Sequence, residues 1–132
     1  MKYLLDTHAW IWWNLSPSEL STRVRELISD VRRYDELLLS AMSVWEFGIL
    51  LNKKRFRISC PANEWLDIAL TMSKLRIMPV TARIAYHSTV LPGNLHADPA
   101  DRIIVASALD EEATIITKDR RIAAYSHIKS LW

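Results

Sequence analysis

The chain has 132 residues, half of them hydrophobic and 24% charged, which suits one compact domain with a continuous core and excludes intrinsic disorder. Its formal net charge of +2 gives no molecule-wide field for polyanions, so phosphate contacts would fall to two local clusters: Lys53, Lys54, Arg55 and Arg57, and Lys118, Arg120 and Arg121. No apolar run reaches the roughly 18 residues of a membrane span, no signal-peptide pattern opens the chain, and the lone Cys60 excludes an internal disulfide or a zinc thiolate pair; a cytoplasmic protein is expected.

Lys2-Tyr3-Leu4-Leu5 reads as a buried strand ending in Asp6, with a helix beginning near Ala9 and an aromatic cluster at Trp10, Trp12 and Trp13. Ser16-Pro17-Ser18-Glu19 has the capping-box form, and Leu20, Val24, Leu27, Ile28 and Val31 follow at helical spacing. The apolar run at 37–39 has strand length, and Ser40 introduces a nearly all-apolar helix through Asn52. A helix is expected over 62–74, a strand over 76–80 and a helix over 81–90, before a loop at Pro92-Gly93-Asn94. Asp98-Pro99-Ala100-Asp101 opens a helix through Leu109, with proline just inside. A brief strand at 114–117, a short helix over 119–125 and a strand at 127–129 complete the chain.

Short apolar strands alternating with amphipathic helices indicate an α/β fold with a parallel sheet covered on both faces. Ligands of such sheets bind outside the carboxyl ends of the strands. With only Gly48 and Gly93, the chain has no Gly-rich phosphate loop or dinucleotide fingerprint, and no repeat or linker divides residues 1–132.

Asp6 and Asp119 each stand just past a strand and before a helix, where a carboxylate is either an N-cap or part of a site. Glu46 is the one carboxylate between Ala41 and Leu51. A buried unpaired carboxylate costs several kcal/mol, so it calls for a cation or a polar pocket, and Ser43 lies one turn earlier on the same face. Asp98 is the natural N-cap before Pro99, whereas Asp101, at the third helical position, can project back toward the sheet edge. Convergence of Asp6, Glu46, Asp101 and Asp119 would raise their pKa values unless cations held them. Oxygen-only ligation suits Mg²⁺ or Mn²⁺ rather than zinc, and such ions serve phosphoryl chemistry. His8 and His96 flank these acids and read as packing or hydrogen-bonding groups. No serine sits in a nucleophile elbow, and the tryptophans read as core and interface.

The segments L-L-D-T-H-A-W-I-W-W, S-A-M-S-V-W-E-F-G-I, H-A-D-P-A-D-R-I-I-V-A-S-A and I-I-T-K-D-R-R-I, in this order over nearly the whole chain, resemble the PIN-domain family and specifically VapC-type toxins. The resemblance implies a three-layer α/β/α sandwich with a short central parallel sheet, and a Mg²⁺- or Mn²⁺-dependent endoribonuclease. It assigns Asp6, Glu46, Asp101 and Asp119 to the family's acidic quartet as catalytic metal ligands. Thr7 and Ser43 match supporting polar residues, Asp98 is an outer support, and Thr117 lies in the T-x-D segment before the fourth acid. The resemblance further implies a homodimer, and a cognate VapB-like antitoxin whose C-terminal segment covers the site. Arg102, Lys118 and Arg120 are expected to steer RNA. Two rivals remain. A small-phosphate phosphohydrolase lacks its D-x-D-x-T motif here, because Thr7 and His8 follow Asp6. A silent PIN-like RNA-binding or interaction module would be expected to lose acids, whereas all four are present.

Overall fold

The apolar runs assemble into one parallel sheet. In the computed structural model, which describes residues 1–71 and 75–132, β1 (Lys2–Leu5) lies between β2 (Glu36–Ser40) and β4 (Thr114–Ile116). Outside them, β3 (Leu75–Met78) pairs with β2, and β5 (Ser130–Leu131) pairs with β4. The register sets Leu4 between Leu38 and Ile115. Side chains alternate along a strand, so Tyr3, Leu5, Leu37, Leu39 and Ile116 enter one core layer and Leu4, Leu38 and Ile115 the other. Both faces are buried, which is why the strands carry continuous apolar runs rather than alternating ones.

On the first face, α1 (Thr7–Leu15), α2 (Thr22–Ser29), α3 (Ala41–Asn52) and α4 (Ala62–Leu70) contribute Trp10, Val24, Phe47 and Trp65. Phe47 stacks on Trp65 with ring centroids 4.5 Å apart, and Trp10 meets both edge-on at 5.7 and 5.5 Å. On the second face, α5 (Ala82–His87), α6 (Pro99–Glu111) and α7 (Arg120–Ala123) contribute Ile84, Ile104, Val105 and Ile122. The result is the expected α/β/α sandwich. Among the described residues no helix is long and apolar enough to cross a membrane.

Several local expectations are corrected. The capping box at Ser16 does not start a helix. Ser16 makes no side-chain cap bond, and Pro17–Glu19 forms a single 3₁₀ turn. Leu20, extended at φ −75° and ψ 143° and only 3% exposed, goes into the core, which breaks helical continuity. Ser21 then caps α2, accepting from the Val24 N–H at 3.1 Å. Replacing Ser21 with Ala should therefore cost about 1 kcal/mol in urea unfolding, and Ser16→Ala only a few tenths; the reverse order would refute this assignment. Val31 opens a second 3₁₀ turn instead of continuing α2. The strand at 76–80 lies one to two residues earlier, and the helix at 81–90 contracts to Ala82–His87 under a Thr81 cap. The helix at 62–74 is present as Ala62–Leu70, while 72–74 lie outside the described residues. The last strand falls at Ser130–Leu131 rather than 127–129, because Ile128 packs into the second core layer first.

From β1 the chain builds outward through β2 and β3, then returns to place β4 and β5 on the opposite side. That reversal opens a crevice above the carboxyl ends of β1 and β4.

Candidate active site

Asp6 is the first residue past β1. Its N–H extends the ladder to the Ile116 carbonyl at 3.1 Å, which fixes it at the crevice. One carboxylate oxygen caps α1 by accepting from the Ala9 N–H at 2.8 Å, and the other accepts from the Thr117 hydroxyl. Thr117, just beyond β4, in turn accepts from the Asp119 N–H at 3.0 Å. Asp119 caps α7 through the N–H groups of Arg121 and Ile122 at 2.7 and 3.2 Å. Capping and site placement are thus the same geometry for both acids, since each cap sits at a strand's carboxyl end.

The remaining acids approach from helices on opposite faces of the sheet. Glu46 on α3 accepts from the Thr7 hydroxyl at 2.6 Å, and the buried Ser43 hydroxyl lies 3.0 Å from the same Thr7 oxygen. A hydroxyl has one proton, so the charged acceptor takes it and Ser43 faces the lone pairs. Asp98 caps α6 by accepting from the Asp101 N–H at 3.0 Å. Asp101, one turn inside, has its Oδ2 2.6 Å from His96 Nε2. The His96 Nδ1 is buried with no hydrogen-bond partner among the described residues. A neutral ring in this position therefore carries its proton on Nε2 and donates to Asp101.

These carboxylates share a pocket of about 220 Å³ lined by Asp6, Thr7, His8, Glu46, Asp98, Asp101, Asp119 and Arg121. Burial pushes Asp6, only 8% exposed, up to about 6, against the Thr117 and Ala9 hydrogen bonds that pull it down. Burial also raises Glu46 and Asp101, countered at Glu46 by Thr7 and at Asp101 by His96; repulsion from neighbouring acids adds to both rises. Asp119 behaves oppositely. Burial pushes it up, but the Arg121 guanidinium and the two α7 N–H groups outweigh that and hold it below the usual carboxylate range. A roomier groove of about 400 Å³ beside His87, Leu91, Leu109 and Asp110 has a single acid and no such arrangement.

The donor set bears on metal binding. Among the described residues, no group of three His, Cys, Asp or Glu side chains already converges on one ion position. The pocket's chemistry nevertheless fits a hard divalent cation. Its donors are carboxylate and hydroxyl oxygens, and burial raises the pKa of its three most buried acids, a cost that a bound cation would offset.

The three basic residues singled out in the sequence have unequal surroundings. Arg102 is turned away from the pocket. Its guanidinium donates to the Ser88 and Leu95 carbonyls at 2.8 and 2.9 Å, with the His96 carbonyl at 3.5 Å, so it clamps the loop between α5 and α6. The same loop is held by the Tyr125 hydroxyl donating to the Pro92 carbonyl at 2.5 Å, and by Gly93 at φ +65°, where an added Cβ would fall 2.9 Å from His127. Arg102 therefore holds backbone: one residue beyond Asp101, it is rotated about 100° around the helix from it. Lys118 lies 5.7 Å over the Trp12 ring, and Arg120 is exposed. Sequence reasoning counted Arg121 only within a basic cluster and missed its place among the acids, 3.1 Å from Asp119 and 3.8 Å from Asp101. Its position two residues past a capping acid was the signal, because the first helical turn folds such a side chain back over the cap.

Comparison with known proteins agrees with this architecture. The PIN domain family model matches residues 3–128. The chain is 32% identical over 124 residues to Ribonuclease VapC22 of Mycobacterium tuberculosis, covering 94% of this chain and 92% of that protein. Its fold is similar to VapBC2 from Rickettsia felis, solved bound to a promoter DNA fragment, with a TM-score of 0.73 at 19% identity, covering 100% and 99% of the two chains. It is also similar to VapC20 of Mycobacterium tuberculosis, described as a sarcin-ricin loop cleaving toxin, with a TM-score of 0.65 at 15% identity and coverage of 94% and 95%. The chain belongs to the PIN-domain family, among its VapC-type members.

Proposed function

We propose that this chain is a divalent-metal-dependent endoribonuclease that hydrolyses RNA phosphodiesters as the toxin of a VapBC-type pair, with residues 1–132 acting as one domain. One observation carries the reading: four carboxylates from four separate elements meet in one pocket above a parallel sheet, three of them raised in pKa, in a chain whose 32%-identical relative is a ribonuclease by name.

Asp6, Glu46, Asp101 and Asp119 would hold Mg²⁺ or Mn²⁺. When bound, such an ion supplies Lewis acidity to the phosphate, lowers the pKa of a water and stabilises the leaving 3′ oxygen. The chain's own groups do the positioning. Thr117 and the Ala9 N–H orient Asp6, Thr7 with Ser43 behind it orients Glu46, and Asp98 secures the helix turn that presents Asp101. Lys118 and Arg120 stand near the fourth acid with their charge available to the RNA backbone, whereas Arg102 is committed to the loop. Exposed Trp45, Ile68, Tyr86 and Val90 offer apolar area for a VapB-like antitoxin and a second copy of the chain.

The test is cleavage of structured RNA by the purified chain. Cleavage should require Mg²⁺ or Mn²⁺, stop in excess EDTA and return when the ion is restored. Undiminished cutting in EDTA would sink the metal-dependent reading. Tight RNA binding without cutting at any ion concentration would favour the silent module.

A further inference from the structure

We propose that Arg121 is an exchangeable cation of the active site. In the metal-free protein it neutralises Asp101 and Asp119, and when a divalent ion enters it turns its guanidinium to a phosphate oxygen of the RNA. The inference rests on the nuclease reading above and deepens it.

Three observations carry it. First, Arg121 Nη2 spans acids from two elements, 3.1 Å from Asp119 Oδ2 on α7 and 3.8 Å from Asp101 Oδ2 on α6. It therefore occupies the charge position that a cation between those acids would take. Second, the side chain lines the pocket yet is 62% exposed, so it can swing out without unpacking any core. Third, two neighbouring cations lie off these acids: Arg102 is bound to loop carbonyls, and Lys118 sits over Trp12. The guanidinium is also the right group for such an exchange, because its planar fork matches carboxylate and phosphate alike. A divalent ion arriving among these acids meets a like charge a few ångströms away. In a largely aqueous, salt-screened site that repulsion lowers metal affinity by roughly three- to tenfold. Moving Arg121 onto an RNA phosphate relieves the repulsion and adds a substrate contact, which couples ion and RNA binding.

The experiment is calorimetric titration of MnCl₂ into the purified full chain, as wild type, Arg121→Gln and Arg121→Lys, alongside steady-state cleavage of one structured RNA. Arg121→Gln should bind Mn²⁺ about three- to tenfold more tightly while its kcat/KM falls by about tenfold or more. Arg121→Lys keeps the charge without the fork, so its Mn²⁺ affinity should stay near wild type and its cleavage should fall between the two. A residue that only braced α7 would not tighten metal binding when removed. Unchanged or weakened Mn²⁺ affinity in Arg121→Gln, with the wild type binding normally, would overturn the exchange alone. A wild-type chain that takes up no Mn²⁺ would overturn the nuclease reading and the exchange together.

Discussion

Replacing Asp6 with Asn should lower RNA cleavage on the order of a thousandfold while making the metal-free chain more stable at neutral pH. The two effects share one cause. Asp6 is 8% exposed, and burial lifts its pKa from the ordinary 3.8 to about 6. Between those values the folded chain holds a proton that the unfolded chain has released. Stability from this group is therefore complete below about pH 4 and is lost as pH rises through about 6. Two units correspond to at most about 3 kcal/mol, so a gain of about 1–3 kcal/mol is expected above pH 7. Asparagine still caps α1, since Asn and Asp are equivalent there, and its amide can pair with Thr117. Thermal melts in EDTA at pH 4 and pH 7.5 check the sign. The variant should match the wild type at the lower pH and exceed it at the higher. A variant less stable at pH 7.5, or one that still cuts RNA at the wild-type rate, would refute the role given to Asp6.

Phe47→Ala should be the most damaging core change near the site, costing about 3–5 kcal/mol. Phe47 is 2% exposed, stacks flat on Trp65, meets Trp10 edge-on and touches the Phe56 ring at 5.2 Å. Truncation leaves three aromatic rings facing a void that rigid neighbours cannot collapse into. For a chain of this size the melting temperature should drop by about 10–20 °C. Trp45, two residues earlier on α3 but 59% exposed, is the control: Trp45→Ala should stay within about 0.5 kcal/mol. Because Glu46 lies between them, comparing the pair separates loss of the fold from loss of the site. A Phe47→Ala cost under about 1 kcal/mol would show that this aromatic cluster is dispensable.

The central strands were legible because burial on both faces writes the same apolar run into each of them. Leu37, Leu38 and Leu39 needed no partner to be recognised as strand. Capping was less legible. Ser16 carries the capping-box signal, yet Ser21 makes the cap, because the burial of Leu20, a fact about the whole fold, decides where the helix starts. The same division holds at the site. Asp6 and Asp119 stand at strand ends, so the parallel-sheet rule placed them from sequence alone. Arg102 and Arg121 were harder, because the direction of a long side chain depends on helix rotation and on which carbonyls or carboxylates lie within reach. The aromatic residues after Asp6 also divide by burial: Trp10 is core, whereas Trp12 lies half-buried between His8 and Trp132.

The clamp made by Arg102 has an entropic consequence. It holds three carbonyls of the segment that carries His96 and Asp98. The conformational freedom of that segment is thus surrendered once, when the chain folds, and not again each time a ligand arrives. One wall of the cleft works as a fixed anvil, so the ordering cost of an encounter falls on the ligand and on the exposed α7 side, where affinity can be adjusted without disturbing the wall.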